Sequence, residues 1–399
     1  MAAVVLAALL LGAGAAQAQS QGTLAAHVAA ALDLDAELRG LLAQREAAVA
    51  RGIVPRSALA GPPSVSGTAL SGTRGGGANG QPSREVEIDL AAPIWLPGQR
   101  TALAESVNAD VLALEGRVLA RRLAVAGRVR DAHWEAALAR REAEVARLRL
   151  ATSRDIARDL RRRAELGDVP PTEALLAQNE TLAAELTFAQ TDARADQLEA
   201  EYATLTGGQR PVLPPETPLP RDRLARHPQL AAARAALEAA NARGRLVAAT
   251  PRENPELGVF TRYEGGFGQN DNTSIGLRFR LPFATEARNL PRRAEAQSEV
   301  TRATAELAQS QRLLEAGLRY AETGLRVAEN NLRIARQRLA VANEQEGIAR
   351  RAFRSGETGA FDLFRVRQLQ QEAQVEEARA AVNVNRARAQ LNQALGAVP

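Results

Sequence analysis

The sequence predicts a mainly α-helical protein with a small β part, built as two copies of a repeat in which a β-hairpin precedes a long helical hairpin. Composition, a fixed internal offset and heptad spacing carry that prediction. The 399 residues are 45% hydrophobic but only 3% aromatic, and all 51 basic residues are arginine. Alanine and leucine supply much of the apolar content, as in long helices and coiled coils and unlike a compact α/β enzyme. Displaced by 189 residues, Val86, Ile88, Leu90, Ala92 and Pro93 fall on Ile275, Leu277, Phe279, Leu281 and Pro282. The same step carries Gly167 to Gly356, Asp168 to Glu357, Glu173 to Asp362 and Gly207 to Gly396. Upstream the offset is 192, carrying Leu38, Glu46, Arg51 and Pro63 to Leu230, Glu238, Arg243 and Pro255. Chance likeness between two helical sequences would not keep glycine and proline in step, so the chain is duplicated.

The elements follow in order. The run from Ala2 to Leu11 leads to Ala16-Gln17-Ala18, a small-x-small pattern that predicts an exported chain cleaved after residue 18. A basic n-region is missing, which leaves an apolar helix start as the alternative. With no Cys there is no lipid anchor on an N-terminal Cys, no disulfide and no thiolate site. The first repeat, 19–206, then reads as a short helix, a β-hairpin over about 63–92 and a helical hairpin over about 98–206. In Arg84–Ala92, Val86, Ile88 and Leu90 share one face while Glu85, Glu87 and Asp89 share the other, the period-two alternation of a strand. Its partner is 63–71, joined through a Gly-rich turn at 72–83. A Pro-rich connector, 207–222, cannot be a helix interior. The second repeat, 223–399, gives a short helix, a hairpin over about 256–282 and helices over about 290–396. There Ile275, Leu277 and Phe279 oppose Arg278 and Arg280, with 256–264 as partner strand and 265–273 as turn.

Each first long helix, 98–165 and 290–354, would span on the order of 100 Å. Val125, Val129, Ala132, Ala136, Ala139, Ala143, Ala146 and Leu150 recur at alternating four and three, and the 189-residue step repeats that register from Leu314 to Leu339. This is heptad spacing, with alanine in the seam so that helices approach closely. Around the strands lie Trp95, Phe260, Tyr263, Phe267, Phe279 and Phe283, the placement of an aromatic girdle on a lipid-facing barrel; a small sheet packed on helices is the alternative. No stretch after the N-terminus reaches the 18 or so apolar residues of a membrane helix, so any membrane part is made of strands. Four strands leave edges that lipid cannot satisfy, and membrane barrels start near eight strands, so such a chain oligomerises or stays out of the bilayer.

Chemistry of other kinds is not indicated. His occurs only at 27, 133 and 227, without metal-ligand spacing, and no nucleophile–base pair or other catalytic constellation stands out, so no cofactor, metal or catalytic residue is expected. The triplet Gly75-Gly76-Gly77 lacks the Lys-Ser/Thr sequel of a phosphate loop. Charges of both signs alternate around a net +5, which gives no nucleic-acid footprint.

The duplication, the hairpin-then-long-helix order and the turns ELGDVPPTEALLAQNETL (165–182) and RSGETGAFDLFRVRQLQQ (354–371) resemble the TolC family of outer-membrane efflux proteins. The resemblance covers essentially the whole mature chain and looks most like members serving heavy-metal or resistance-nodulation-division (RND) pumps. It implies a homotrimer with one shared twelve-stranded transmembrane β-barrel and an α-helical barrel crossing the periplasm, passively conducting substrates for an inner-membrane pump and its adaptor. It makes Gly167, Asp168, Gly356 and Glu357 part of a periplasmic tip that docks the adaptor. It places Asp362 at an acidic position of the tip constriction, where Arg365 replaces a second aspartate common in the family. Asp362 and Arg365 are expected either to pair or to begin a solvated helix. The strand faces then imply a lumen carrying Glu85, Glu87, Asp89, Arg278 and Arg280, and a lipid side carrying Val86, Ile88, Leu90, Ile275, Leu277 and Phe279. The alternatives from other classes are a soluble periplasmic coiled-coil scaffold or pump adaptor, and an enzyme acting on the cell wall. An adaptor would have one helical hairpin flanked by β-rich domains; two long helical hairpins are read here.

Overall fold

A computed structural model describes residues 22–74, 81–266 and 271–399. The predicted signal segment, Phe267 and the Gly75–Gly77 triplet lie outside the described residues. The elements are α1 (Leu24–Leu34), α2 (Ala36–Arg51), a 3-10 turn (Val54–Arg56), β1 (Ser64–Arg74), β2 (Gln81–Pro93), α3 (Gln99–Leu166), α4 (Pro171–Leu205), a 3-10 turn (Arg221–Arg226), α5 (Pro228–Ala249), β3 (Glu256–Gly266), β4 (Asn272–Arg280), α6 (Glu286–Ser355) and α7 (Ala360–Ala394). Strands β1 and β2 extend further into the first predicted turn than the alternation did, because backbone pairing continues through Gly72↔Ser83 and Thr73↔Pro82 without apolar side chains. Helix α6 starts four residues before its predicted start and contains Pro291. Its N-terminus is favoured by Glu286, whose charge complements the helix dipole.

The chain packs as two units that cut across the repeats. One holds residues up to Leu38, Ala120–Pro228 and Arg312–Pro399; the other holds Arg39–Leu119 and Gln229–Gln311. In the first unit α3 packs on α4 and α7, α7 packs on α3 and α6, and α4 and α7 also meet directly. Arg140 of α3 bonds Asp192, Asp196 and Glu199 of α4 at 2.6–3.2 Å. Arg379 and Arg386 of α7 reach Glu142 and Glu135 of α3 at 2.5 and 3.2 Å. Gln370 of α7 donates to Asn343 of α6 at 3.0 Å. The α3 seam is buried as its spacing requires, with Val125, Val129 and Ala136 fully enclosed. Helix α1 closes one core of this unit, setting Val28 and Ala31 against Val125, Ala126, Val129 and Tyr202. Each fully buried valine there contributes about 1.5–3 kcal/mol. The Tyr202 hydroxyl and His27 Nδ1 lie 2.5 Å apart, and His133 meets Tyr202 and Trp134 edge-on.

Two polar clamps fix the chain crossings. The Asp35 carboxylate accepts from Leu38 N at 2.8 Å, from Arg121 at 2.9 and 2.7 Å, and from Arg128 at 2.7 Å. The Arg121 guanidinium, more than any other neighbour, holds Asp35 far below the usual carboxylate range. Arg130 is buried and donates to Glu216 of the connector at 2.8 and 3.0 Å, to Gln393 at 2.6 Å and to the Ala397 carbonyl at 3.1 Å. Asn392 donates to Glu216 and Thr217 and accepts from Leu219 N, so the Pro-rich connector is strapped down over 216–219.

The second unit contains the sheet, with order β1-β2-β3-β4 and every pair antiparallel. At its base the Gln99 and Asn254 side-chain amides bond each other, and Asn254 Nδ2 donates to the Ile94 carbonyl at 2.9 Å. Ala109 and Ala113 of α3 pack on Ala239 and Ala242 of α5. The helices cross tightly at Gly116, where a Cβ would stand 2.8 Å from the Ala232 Cα.

Candidate functional site

Antiparallel pairing puts directly opposed residues on one face, so the register sorts the sheet into two chemistries. One face carries Val65, Val86, Ile88, Leu90, Leu257, Val259, Tyr263, Ile275, Leu277 and Phe279. All of these are exposed; Leu277 and Phe279 keep 76% and 80% of their surface. The apolar band continues beyond β4 through Leu281 and Phe283, both exposed. The opposite face carries Glu85, Glu87, Asp89, Glu256, Arg262, Glu264, Arg278 and Arg280.

Those charges form one ladder. Arg262 meets Glu85 at 3.0 Å and Glu87 at 2.6 Å; Arg278 meets Glu87 and, at 3.1 Å, Asp89; Arg280 meets Glu256 at 3.2 Å. All five charged residues picked out on the predicted strands thus share one face, and the six apolar ones share the other. Phe260 departs from the expected girdle: it lies on the charged face over Gly276, with the Arg278 and Arg262 guanidinium carbons 5.2 and 5.7 Å from its ring centre. Trp95 lies outside the strands and donates to the Ser57 carbonyl at 3.1 Å. The sequence reading missed Arg262, Glu256 and Glu264. Their signal was the odd-numbered apolar series Leu257, Val259, Thr261, Tyr263, which assigns the even positions to the charged side.

The helical turns are the other candidate. Gly167 and Gly356 adopt φ of 82° and 78°. Asp168 N donates to Arg163 O and Glu357 N to Ala352 O, both at 2.9 Å, which caps α3 and α6 identically. A side chain at either glycine would be strained by roughly 1–2 kcal/mol. Near both turns Ala157, Leu160, Ala177, Phe353, Ala360 and Leu363 form a single cluster, so the two turns sit at the same end of the first unit. Asp362 lies in the first turn of α7. Neither Asp362 nor Arg365 makes an ion pair among the described residues; within one chain both are exposed at the start of α7, as the solvated-helix alternative has it. Arg367 pairs with Glu346 at 3.0 Å instead, and burial pushes its pKa down.

No group of ligating side chains that could hold a metal occurs among the described residues, and none of their helices is long and apolar enough to cross a membrane. A family model described as "Outer membrane efflux protein" matches residues 219–397, the second repeat. In that repeat the chain is similar to outer membrane efflux proteins. The fold extends the likeness over the first repeat. The outer membrane protein VceC from Vibrio cholerae is 16% identical, with a TM-score of 0.75 over 94% of this chain and 96% of VceC. The Campylobacter jejuni CmeC outer membrane channel is 16% identical, with a TM-score of 0.72 over 94% and 85% of the two chains. The open-state MtrE outer membrane channel of Neisseria gonorrhoeae is 18% identical, with a TM-score of 0.69 over 94% and 89%. At these identities the likeness is one of fold. No curated protein matches this chain in sequence.

Proposed function

We propose that three copies of this chain form a passive outer-membrane duct, the exit channel of a tripartite efflux pump that carries substrates from an inner-membrane transporter and its adaptor to the outside. The observation that carries this reading is a sheet with one apolar exposed face, one charged face and two open edges. An open edge is not tolerated in hydrocarbon, where each unpaired backbone group costs several kcal/mol. Three four-stranded sheets joined edge to edge close a twelve-stranded barrel and remove every edge. Val86, Ile88, Leu90, Ile275, Leu277 and Phe279 then meet lipid, while Glu85, Glu87, Asp89, Arg278 and Arg280 line a water-filled lumen. The helices of the three copies form the periplasmic tunnel. The turns at Gly167, Asp168, Gly356 and Glu357, with Asp362 and Arg365, form its adaptor-docking tip and gate. The chain reaches the outer membrane through cleavage of residues 1–18, serves an RND-type pump and carries out no chemistry of its own. A soluble scaffold would leave the whole apolar sheet face in water, the kind of patch that marks an interaction site.

The deciding measurement is the detergent-corrected mass of protein extracted from the outer-membrane fraction. A trimer is expected. A soluble monomer in the periplasmic fraction would overturn the duct.

A further inference from the structure

Next to the sheet, and wholly inside the second unit, lies a groove of about 440 Å³. Helix α5 contributes Leu246 and Val247 to it, α3 contributes Leu103, α6 contributes Ala296, and Trp95 completes the apolar lining. All five side chains are half-buried, so each keeps apolar surface that the chain itself leaves uncovered. The Trp95 indole has one donor, and its bond to the Ser57 carbonyl uses it. The ring is thereby held in place as a wall of the groove. A concave apolar lining bordered by a few polar groups is the usual form of a small-molecule site.

The charged residues that border this lining are Arg243, Arg292, Glu295 and Glu299. Arg243 is already engaged, by Asp110 at 2.8 Å and by Glu299 at 3.4 Å. Arg292 and Glu295 remain, and neither makes a hydrogen bond or ion pair among the described residues. They stand three positions apart on α6, which makes them neighbours on its surface. The groove thus offers one free cation and one free anion beside an apolar bed. A purely anionic ligand would face Glu295 with a like charge, and a purely cationic one would do the same to Arg292. The level of the site fits a membrane headgroup. The exposed apolar band runs down through Leu281 and Phe283, and Arg292 lies six residues, about 9 Å, inside the helix that follows. Tryptophan and arginine at such a boundary anchor a protein to lipid and recognise headgroups.

We propose that this groove binds one zwitterionic phospholipid whose headgroup ends in a primary ammonium, as in phosphatidylethanolamine. Arg292 takes the phosphate, Glu295 accepts from the ammonium, and an acyl chain lies over Trp95, Leu103 and Leu246. A choline headgroup has no N–H to give Glu295, and a glycerol headgroup has no cation for it. The site therefore selects among lipids by the end of the headgroup. This inference rests on the sheet's apolar face meeting lipid and adds to it a single bound lipid species.

The chain carries its own reporter. Its two tryptophans are Trp95 and Trp134, so Trp134→Phe leaves a single fluorophore, and that one lines the groove. The variant, in detergent micelles, is titrated with phosphatidylethanolamine, phosphatidylcholine or phosphatidylglycerol bearing brominated acyl chains, which quench indole fluorescence at short range. The expected result is half-maximal quenching by phosphatidylethanolamine at a lipid fraction at least about fivefold lower than by the other two, the worth of one hydrogen bond. Adding Glu295→Gln, a change at an exposed position, should abolish that advantage over phosphatidylcholine. Should Trp134→Phe fail to assemble, the parent chain is titrated directly, with the buried Trp134 as a constant background. Equal quenching by all three lipids would overturn the site, and so would a preference that survives Glu295→Gln. No quenching by any lipid, with the detergent-corrected mass still trimeric, would overturn the site and leave the duct standing. A monomeric mass would overturn the site together with the duct.

Discussion

Leu277 stands in β4 opposite Val259, in the middle of the exposed apolar face. Replacing it by Arg puts a charge where the proposed barrel meets the bilayer midplane, and assembly into membranes should weaken by about 2–4 kcal/mol. Urea titration of folding into vesicles measures this, and unchanged assembly would show that the face does not meet lipid. His133 offers an independent test away from the sheet. Burial, and then the nearby His27 ring, lowers its pKa from 6.5 to about 4. The unfolded chain therefore binds this proton more readily than the folded one. Its contribution to stability is complete above about pH 6.5 and is lost as pH falls towards 4. His133→Gln should flatten the stability profile across that interval, as followed by helical circular dichroism in denaturant, and should leave it unchanged at pH 8. A profile as steep as that of the parent chain would assign the acid sensitivity elsewhere.

At the scale of elements, Gly116 sets how closely α3 and α5 cross. Gly116→Ala places a methyl group against the Ala232 backbone, which cannot rotate away, so the second unit should lose about 1–3 kcal/mol by overpacking. Thermal unfolding of the variant checks it; an unchanged midpoint would mean that the crossing yields at no cost. The long helices are legible in the sequence because heptads and proline punctuation act locally. The faces of β2 and β4 are legible for the same reason, since alternation alone sorts Glu87 from Ile88 and Arg278 from Leu277. The pairing of Arg262 with Glu87 is not, because it depends on the register between strands about 175 residues apart. Phe260 defeats composition for a related reason: an aromatic ring near a strand end reads as lipid-facing, while here it stacks on two guanidinium groups. Nor does the duplication reveal the packing units, because α3 and α6 each contribute to both.

On the scale of the whole molecule, the proposed gate is open to direct measurement. Asp362 and Arg365 make no ion pair among the described residues, so each is available to the other copies around a closed tip. Replacing both with Ala should raise single-channel conductance in planar bilayers if they narrow the passage; unchanged conductance in a correctly assembled channel would remove them from the gate. The Arg130 clamp bears on how such a molecule is made. It joins α3 to residues 263 and 267 positions later in the chain, so the connector cannot be locked while the second repeat is still being translocated. Contacts of such long sequence separation form slowly, and until they form the first repeat keeps apolar surface exposed. Locking of the connector thus waits for Gln393 and Ala397, and a holding chaperone should engage the chain up to that moment.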